Sequence, residues 1–193
     1  MSALLAEKLE RMVNGVAVDK LYSTIDVVKE DPEMAKFRFR IANRWINGGY
    51  TRTTIKDFYG AKKNHAHETP FVLEADEPPL LLGEDQGANP VEHLLNALAA
   101  CVTASMVYHA AARGVEIRGV ESRLEGDLDL RGFLGVAKEV PVGYQNIRIS
   151  FRIDADASDE EKELLIAMGK KYSPVYNTLF AGKTSVVTEL DKG

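Results

Sequence analysis

The stretch NPVEHLLNALAACVTASMVYHAAARG, residues 89–114, carries the clearest structural signals in the chain. Asn89 is a natural N-cap, Pro90 fits the first helical position, Glu92 falls in the first turn, and Gly114 stands just past the end. These predict a helix of about 24 residues, which at ~1.5 Å per residue crosses a domain of this size. Apolar or small residues occupy every side from Leu94 to Val107, the pattern of a helix buried all round. Ala97, Ala99, Ala100 and Ala104 allow close approach of other backbones. The chain's single cysteine, Cys101, lies in the middle of this stretch. Read from spacing alone it is either a packing group or a sheltered nucleophile, and no internal disulfide is available to it.

The chain of 193 residues, 45% hydrophobic and 27% charged, has the composition of a soluble globular protein, and no run reads as the ~20 apolar residues of a membrane span. Charged Glu7, Lys8, Glu10 and Arg11 interrupt the start of the chain where a signal peptide needs an apolar core. With one cysteine this favours a reducing, cytoplasmic address. A net charge of −5 argues against a nucleic-acid partner.

Before the long helix, residues 1–34 read as a helical extension. Leu5, Leu9, Met12 and Val13 share one face of a first short helix, and Leu21, Ile25 and Val28 one face of a second that stops at Asp31-Pro32. Residues 35–193 form the main domain. Phe37, Phe39 and Ile41 alternate with Arg38 and Arg40 as in a half-buried strand, and Asn47-Gly48-Gly49 turns the chain into a second strand over residues 50–58. Residues 59–89 read as loop with one short strand at most. After the helix, residues 119–130 and 144–154 alternate apolar and charged positions and are expected to pair. Ser158 and Glu161 make a capping box for another helix ending near Tyr172; Ser173-Pro174 starts a further one, and residues 184–190 a last strand. Strands separated by blocks of helix, without regular βαβ alternation, indicate an α+β fold with antiparallel sheets.

His93, Cys101 and His109 recur every eight residues, but eight residues rotate each by roughly 80° and advance it about 12 Å, so they share no metal. His65, His67 and Glu68 form a better ligand set on geometry, yet a His-x-His pair in a polar segment is ordinarily solvated. No metal or cofactor is expected. Asp127 and Asp129 belong to a wet strand face, and Gly132–Gly135 is too short and lysine-free to cradle phosphate.

The run NPVEHLLNALAAC resembles the cysteine-bearing helix of the OsmC/Ohr family of stress-response proteins, and SPVYNTL, residues 173–179, looks like that family's CPV…TL segment. The resemblance spans residues 36–190 and points to a single-cysteine OsmC-like subgroup. It implies an intertwined homodimer with long central helices packed between sheets and sites at the subunit interface. It also implies peroxidase chemistry, in which a first cysteine attacks an organic hydroperoxide and a second resolves the sulfenic acid. Carried across, Cys101 matches the attacking residue and Ser173 stands at the resolving position. Val91 replaces the family's glutamate after Asn-Pro, leaving Glu92 one residue along, and Arg44 or Arg52 is the candidate thiolate-activating arginine. Tyr50 and Tyr172 read as core aromatics or as lining of the same pocket. Three functions stay open. One is a one-cysteine reductase of hydroperoxides served by an external thiol; another is a non-catalytic dimer binding an apolar small molecule; the third is a structural or stress-protective role without any ligand.

Overall fold

The computed structural model describes residues 10–180 and 182. Residues 2–9 of the first helix expected over 2–13, and the last strand expected over 184–190, lie outside these residues. The chain divides into two compact units, Met1–Leu94 and Leu95–Gly193, each considered by itself.

In the first unit, β1 (Met12–Val13) and β2 (Val16–Ala17) form a hairpin across Asn14 and Gly15, both with positive φ, as a two-residue Asn-Gly turn requires. Met12 and Val13 are thus strand where the sequence pattern predicted helix. Helix α1 (Val18–Glu30) follows, with Asp19 in its first turn and Lys29 in its last, each matching the helix dipole. Asp31 stops it and caps a 3-10 turn at Pro32–Ala35, accepting from the Glu33 N–H.

The sheet of this unit is built on β5 (Tyr50–Gly60). Along one edge it pairs antiparallel with β3 (Arg38–Phe39) and β4 (Ala42–Asn47), and along the other with β6 (Lys63–Ala75). Of the loop expected over residues 59–89, residues 63–75 form a 13-residue strand, far longer than the short apolar run at Phe71–Leu73 suggested. Its sequence, KNHAHETPFVLEA, has few β-branched residues and contains Pro70, so pairing with β5 overrides local propensity. Proline is tolerated because Pro70 falls where the β5–β6 register shifts between Ile55 and Asp57, so its missing N–H leaves no ladder bond unmade. The β5–β6 turn places Ala61 and Lys62 in the left-handed region, an unfavourable state for side-chain-bearing residues; the Lys62 ammonium is tied to the Asp31 carboxylate. That pairing, through hydrogen bond first, holds Asp31 below and Lys62 above its ordinary titration range.

Phe37, Phe39 and Ile41, expected half-buried, are exposed in the single chain, Phe39 at 75%. Their alternation is real, but among the described residues of the unit they remain exposed even though the Phe37 ring lies over Gly60.

Helix α2 (Pro90–Ala112) begins in the first unit and runs into the second. Asn89 caps it as predicted: its side-chain oxygen accepts from the Val91 N–H at 2.9 Å, while the Glu92 carboxylate accepts from the Asn89 N–H at 2.9 Å. Gly114, at φ 72°, closes it, with Val115 N–H reaching back to the Ala110 carbonyl. By length and apolarity α2 does meet the criterion for a membrane span, against the reading from sequence. A core helix of a soluble protein meets it equally, and α2 buries one stripe of its surface, Leu98, Val102, Met106 and Ala110.

In the second unit β7 (Ile117–Asp127) and β8 (Asn146–Ala155) pair antiparallel as expected, with Val120, Ser122 and Leu124 opposite Ile153, Phe151 and Ile149. Their connection holds the short helix α3 (Leu130–Phe133), capped by Asp129. Helix α4 (Asp159–Tyr172) starts at the predicted Ser158–Glu161 capping box, and α5 (Pro174–Phe180) follows after one non-helical residue. The core joins Met106 and Ala110 of α2 to Leu165 and Met168 of α4, with Val120, Phe151 and Ile153 packed against them. Gly169 permits this approach: a Cβ there would stand 2.9 Å from the Val102 carbonyl oxygen.

Burial of α2 all round does not hold in the single chain. Leu98, Val102, Met106 and Ala110 form one buried stripe, while Ala97, Ala100, Ala104 and Tyr108 are exposed.

Candidate functional site

Cys101 occupies the middle of α2 and is half-buried, with its thiol free. It stands next to the buried Val102 and one turn before Ser105, which lies on the same side of the helix. The Ser105 hydroxyl donates to the Tyr172 carbonyl at 3.3 Å, so this side of α2 meets the α4–α5 junction. One further turn along, the His109 ring stacks on the Tyr172 ring, centroids 4.1 Å apart. Burial, then the Arg113 charge, lowers the imidazole's pKa.

Ser173 is fully buried at that junction, extended at φ −77°, ψ 116°, and its hydroxyl accepts from the Tyr176 N–H at 3.1 Å. It is an N-cap, the role its Ser-Pro context predicts. Asn177 closes the junction, its amide donating to the carbonyls of Lys170, Lys171 and Ser173. The structure thus ties the residue adjoining Ser173 to a serine one turn from Cys101.

The other three candidates belong to the first unit. Arg44 on β4 and Arg52 on β5 are direct cross-strand partners. Like charges placed opposite each other repel, and a cavity of about 240 Å³ lined by Ala42, Asn43, Arg44, Ile46, Arg52 and Thr54 sits over them. Arg52 is held by the Tyr50 hydroxyl at 3.1 Å and the Glu74 carboxylate at 2.7 Å, the first the larger cause of its raised pKa. Tyr50 is thus a partner of an arginine rather than a core aromatic. Arg44 has no ion-pair partner among the described residues. Glu92 is occupied in capping α2, and His93 beside it bonds the Glu74 carbonyl. A larger cleft of about 620 Å³, lined in part by Arg40, Lys56, Asp57 and Asn64, contains neither candidate arginine.

His65 and His67 are packed into an aromatic ladder: His65 stacks on Phe58 at 5.0 Å, and His67 meets the edge of Phe71 at 4.9 Å. Asp127 pairs with Arg148, and Asp129 with Arg131.

Sequence reasoning missed two features. The His109–Tyr172 stack joins residues 63 apart in number, and no local pattern announces it. Asp76 is buried and accepts from the N–H groups of Glu77, Glu84 and Gln86, fixing the loop that leads to α2. An aspartate preceding a Pro-Pro and Gly-rich segment was the available hint.

A family model for OsmC-like proteins matches residues 83–189, more than half of the chain and inclusive of Glu92, Cys101 and Ser173. The chain belongs to the OsmC-like family. Arg44 and Arg52 lie outside the matched segment. Solved structures agree on the α+β fold with antiparallel sheets. An OsmC-like protein from Mycoplasma pneumoniae aligns at 21% identity and TM-score 0.55, over 76% of this chain and 89% of its own. An OsmC-like protein of unknown function from Vibrio cholerae aligns at 12% identity and TM-score 0.56, over 79% and 97%. At these identities they speak for the fold alone. No curated protein matches the sequence.

Proposed function

We propose that this OsmC-like protein is a homodimeric, cytoplasmic stress-response reductase of organic hydroperoxides, with Cys101 as its one redox-active residue and an external thiol as reductant. The observation that carries this is the half-buried Cys101 on the side of α2 whose next turn bonds to the junction at Ser173. That bond, one residue from Ser173, supports carrying the family's attacking and resolving positions onto Cys101 and Ser173.

In this reading the Cys101 thiolate attacks one peroxide oxygen, the O–O bond breaks, and the alkoxide leaves and takes a proton as the alcohol. The sulfur keeps the oxygen as a sulfenic acid. Ser173 cannot condense with it. One external thiol therefore displaces water to give a mixed disulfide, and a second restores the Cys101 thiol and leaves as the external disulfide. Arg44 or Arg52 supplies the activating charge. Arg44 is favoured, because Arg52 is already engaged by Tyr50 and Glu74. Glu92 orients α2 through its cap and takes no part in holding the arginine.

The test is mass spectrometry of the purified protein treated with an organic hydroperoxide and a sulfenic-acid trap. One adduct on Cys101, and turnover with added dithiol that Cys101→Ala abolishes, are expected. An unmodified Cys101, or turnover indifferent to that substitution, overturns the reading. Ser173→Cys is expected to form an internal disulfide with Cys101 on oxidation; two surviving free thiols break the motif alignment.

A second reading, a non-catalytic dimer holding an apolar small molecule, is favoured by Val91 and Ser173 at the two altered motif positions. Survival of peroxide in the first experiment, with saturable binding of an apolar probe, selects it.

A further inference from the structure

The junction between α4 and α5 is a single extended residue, Ser173, between two helices. Beyond the α2–α4 core packing, two contacts from α2 reach it among the described residues: the Ser105 hydroxyl on the Tyr172 carbonyl, and the His109 ring on the Tyr172 ring. From its own side it is held by Asn177 and by the Ser173 cap. Among these groups His109 is the one whose charge changes between pH 5 and 8.

We propose that His109 is a proton-operated latch on this junction, its neutral ring holding Tyr172 and keeping Ser173 covered, and its protonation releasing them. The geometry supplies the reason. Around the stack the titratable and charged neighbours are Arg113 on α2, which donates to the His109 carbonyl at 3.1 Å, and Tyr172 and Lys171 on α4. The Lys171 ammonium lies 5.1 Å from the centroid of the same Tyr172 ring. An imidazolium arriving there adds a cation to a half-buried spot that already has two, and the ring that would attract it is already engaged by one of them. Burial and Arg113 both favour the neutral imidazole, so the latch is closed at neutral pH and opens on acidification below the ordinary histidine range near 6.5. Opening frees α5 and uncovers the position that the family uses for resolution. The device needs neither peroxide nor oxidised Cys101, and it stands or falls separately from the proposed reductase.

The experiment follows the intact protein from pH 7.5 to 5. Nuclear magnetic resonance records titration of the His109 ring, assigned by its absence in His109→Gln, and hydrogen exchange records opening at the amides of residues 173–177. Exchange corrected for its intrinsic pH dependence is expected to rise at least threefold on acidification, with a midpoint equal to that of His109 and below 6.5. His109→Phe, which keeps the stack and cannot titrate, is expected to stay closed throughout. A flat wild-type profile, a midpoint unrelated to His109, or an equal rise in His109→Phe overturns the latch. Should both variants fail to fold, coincidence of the two wild-type midpoints, with the ring assigned through its neighbours on α2, decides the matter alone.

Discussion

Strands β7 and β8 in the second unit alternate apolar and charged residues, and their apolar side is covered from within by Met106 and Ala110 of α2 and Leu165 and Met168 of α4. Strands β3 to β6 in the first unit also carry a run of large apolar side chains, yet Phe37, Phe39, Ile41, Trp45, Phe71, Val72 and Leu73 all stand exposed in the single chain. In the first pattern Val120, Phe151 and Ile153 are half-buried against that core within one copy. The second presents an aromatic ladder, Phe37–Phe39–Phe58–His65, whose outer rings Phe37 and Phe39 are exposed while Phe58 and His65 are half-buried. The stripe of α2 formed by Ala97, Ala100, Ala104 and Tyr108 is exposed in the second unit. The proposed function assumes a second copy of the chain, and these exposed apolar positions are where its effect can be tested.

The largest expected effect tests that contrast directly. Phe39→Glu with Phe71→Glu places charge on the uncovered ladder and is expected to turn a dimer into a monomer by sedimentation, with secondary structure retained. Sedimentation unchanged by the pair would mean that the ladder is not the shared surface. Its counterpart in the covered region is Leu165→Ala. Leu165 is 3% exposed within the core cluster, and its truncation is expected to cost about 2–5 kcal/mol of unfolding free energy in denaturant titration. Next in size is Gly169→Ala. Its better helix propensity is worth about 1 kcal/mol, but the added Cβ meets the Val102 carbonyl and the Met106 Cβ, so a net loss of about 1–3 kcal/mol is expected. A gain would show that α4 can move off α2 at little cost.

The elements that sequence disclosed are those whose signals are local. The caps of α2 and α4, Gly114, and Ser173 before Pro174 each follow from a few adjacent residues, and Cys101 and Ser173 were recognisable because their motifs lie on these helices. Strand β6 was hidden because Lys63, Asn64, His65 and Glu68 are poor strand formers held in place by β5. The arginines were unresolved for a related reason. A two-residue turn pairing Asn47 with Tyr50 would by itself set Arg44 opposite Thr53; the bulge between Trp45 and Asn47 shifts the register and sets Arg44 opposite Arg52. Exposure of Phe39 and of the outer stripe of α2 was equally beyond a periodicity argument, which identifies an apolar side without saying which chain covers it.

A smaller effect separates the loop before α2 from both sheets. Burial alone would raise the Asp76 carboxyl, but three backbone N–H donors outweigh it and hold its pKa below the ordinary carboxylate range. The unfolded chain therefore binds this proton more readily than the folded one. The stabilisation is complete above the unfolded value near 3.9 and is lost as pH falls through the lower folded value. Asp76→Asn should lower the thermal midpoint at pH 7, and the gap from wild type should narrow only below about pH 4. A gap that closes already at pH 6 would assign the effect to another group.

The smallest expected effect is on the wet side of β7 and β8. Arg152 and Glu121 approach at 3.5 Å with both side chains largely in water, where screening and side-chain entropy offset the attraction. Arg152→Ala is expected to leave the unfolding midpoint unchanged, in low salt and in high. The result bears on the opening contrast, because Arg152 and Ile153 are neighbours on one strand. If this ion pair carries no measurable stability, the packing of Val120, Phe151 and Ile153 against Met106, Ala110, Leu165 and Met168 is the stronger support of the second unit's sheet. A midpoint that falls markedly, and falls further at low salt, would locate part of that stability in the Arg152–Glu121 pair.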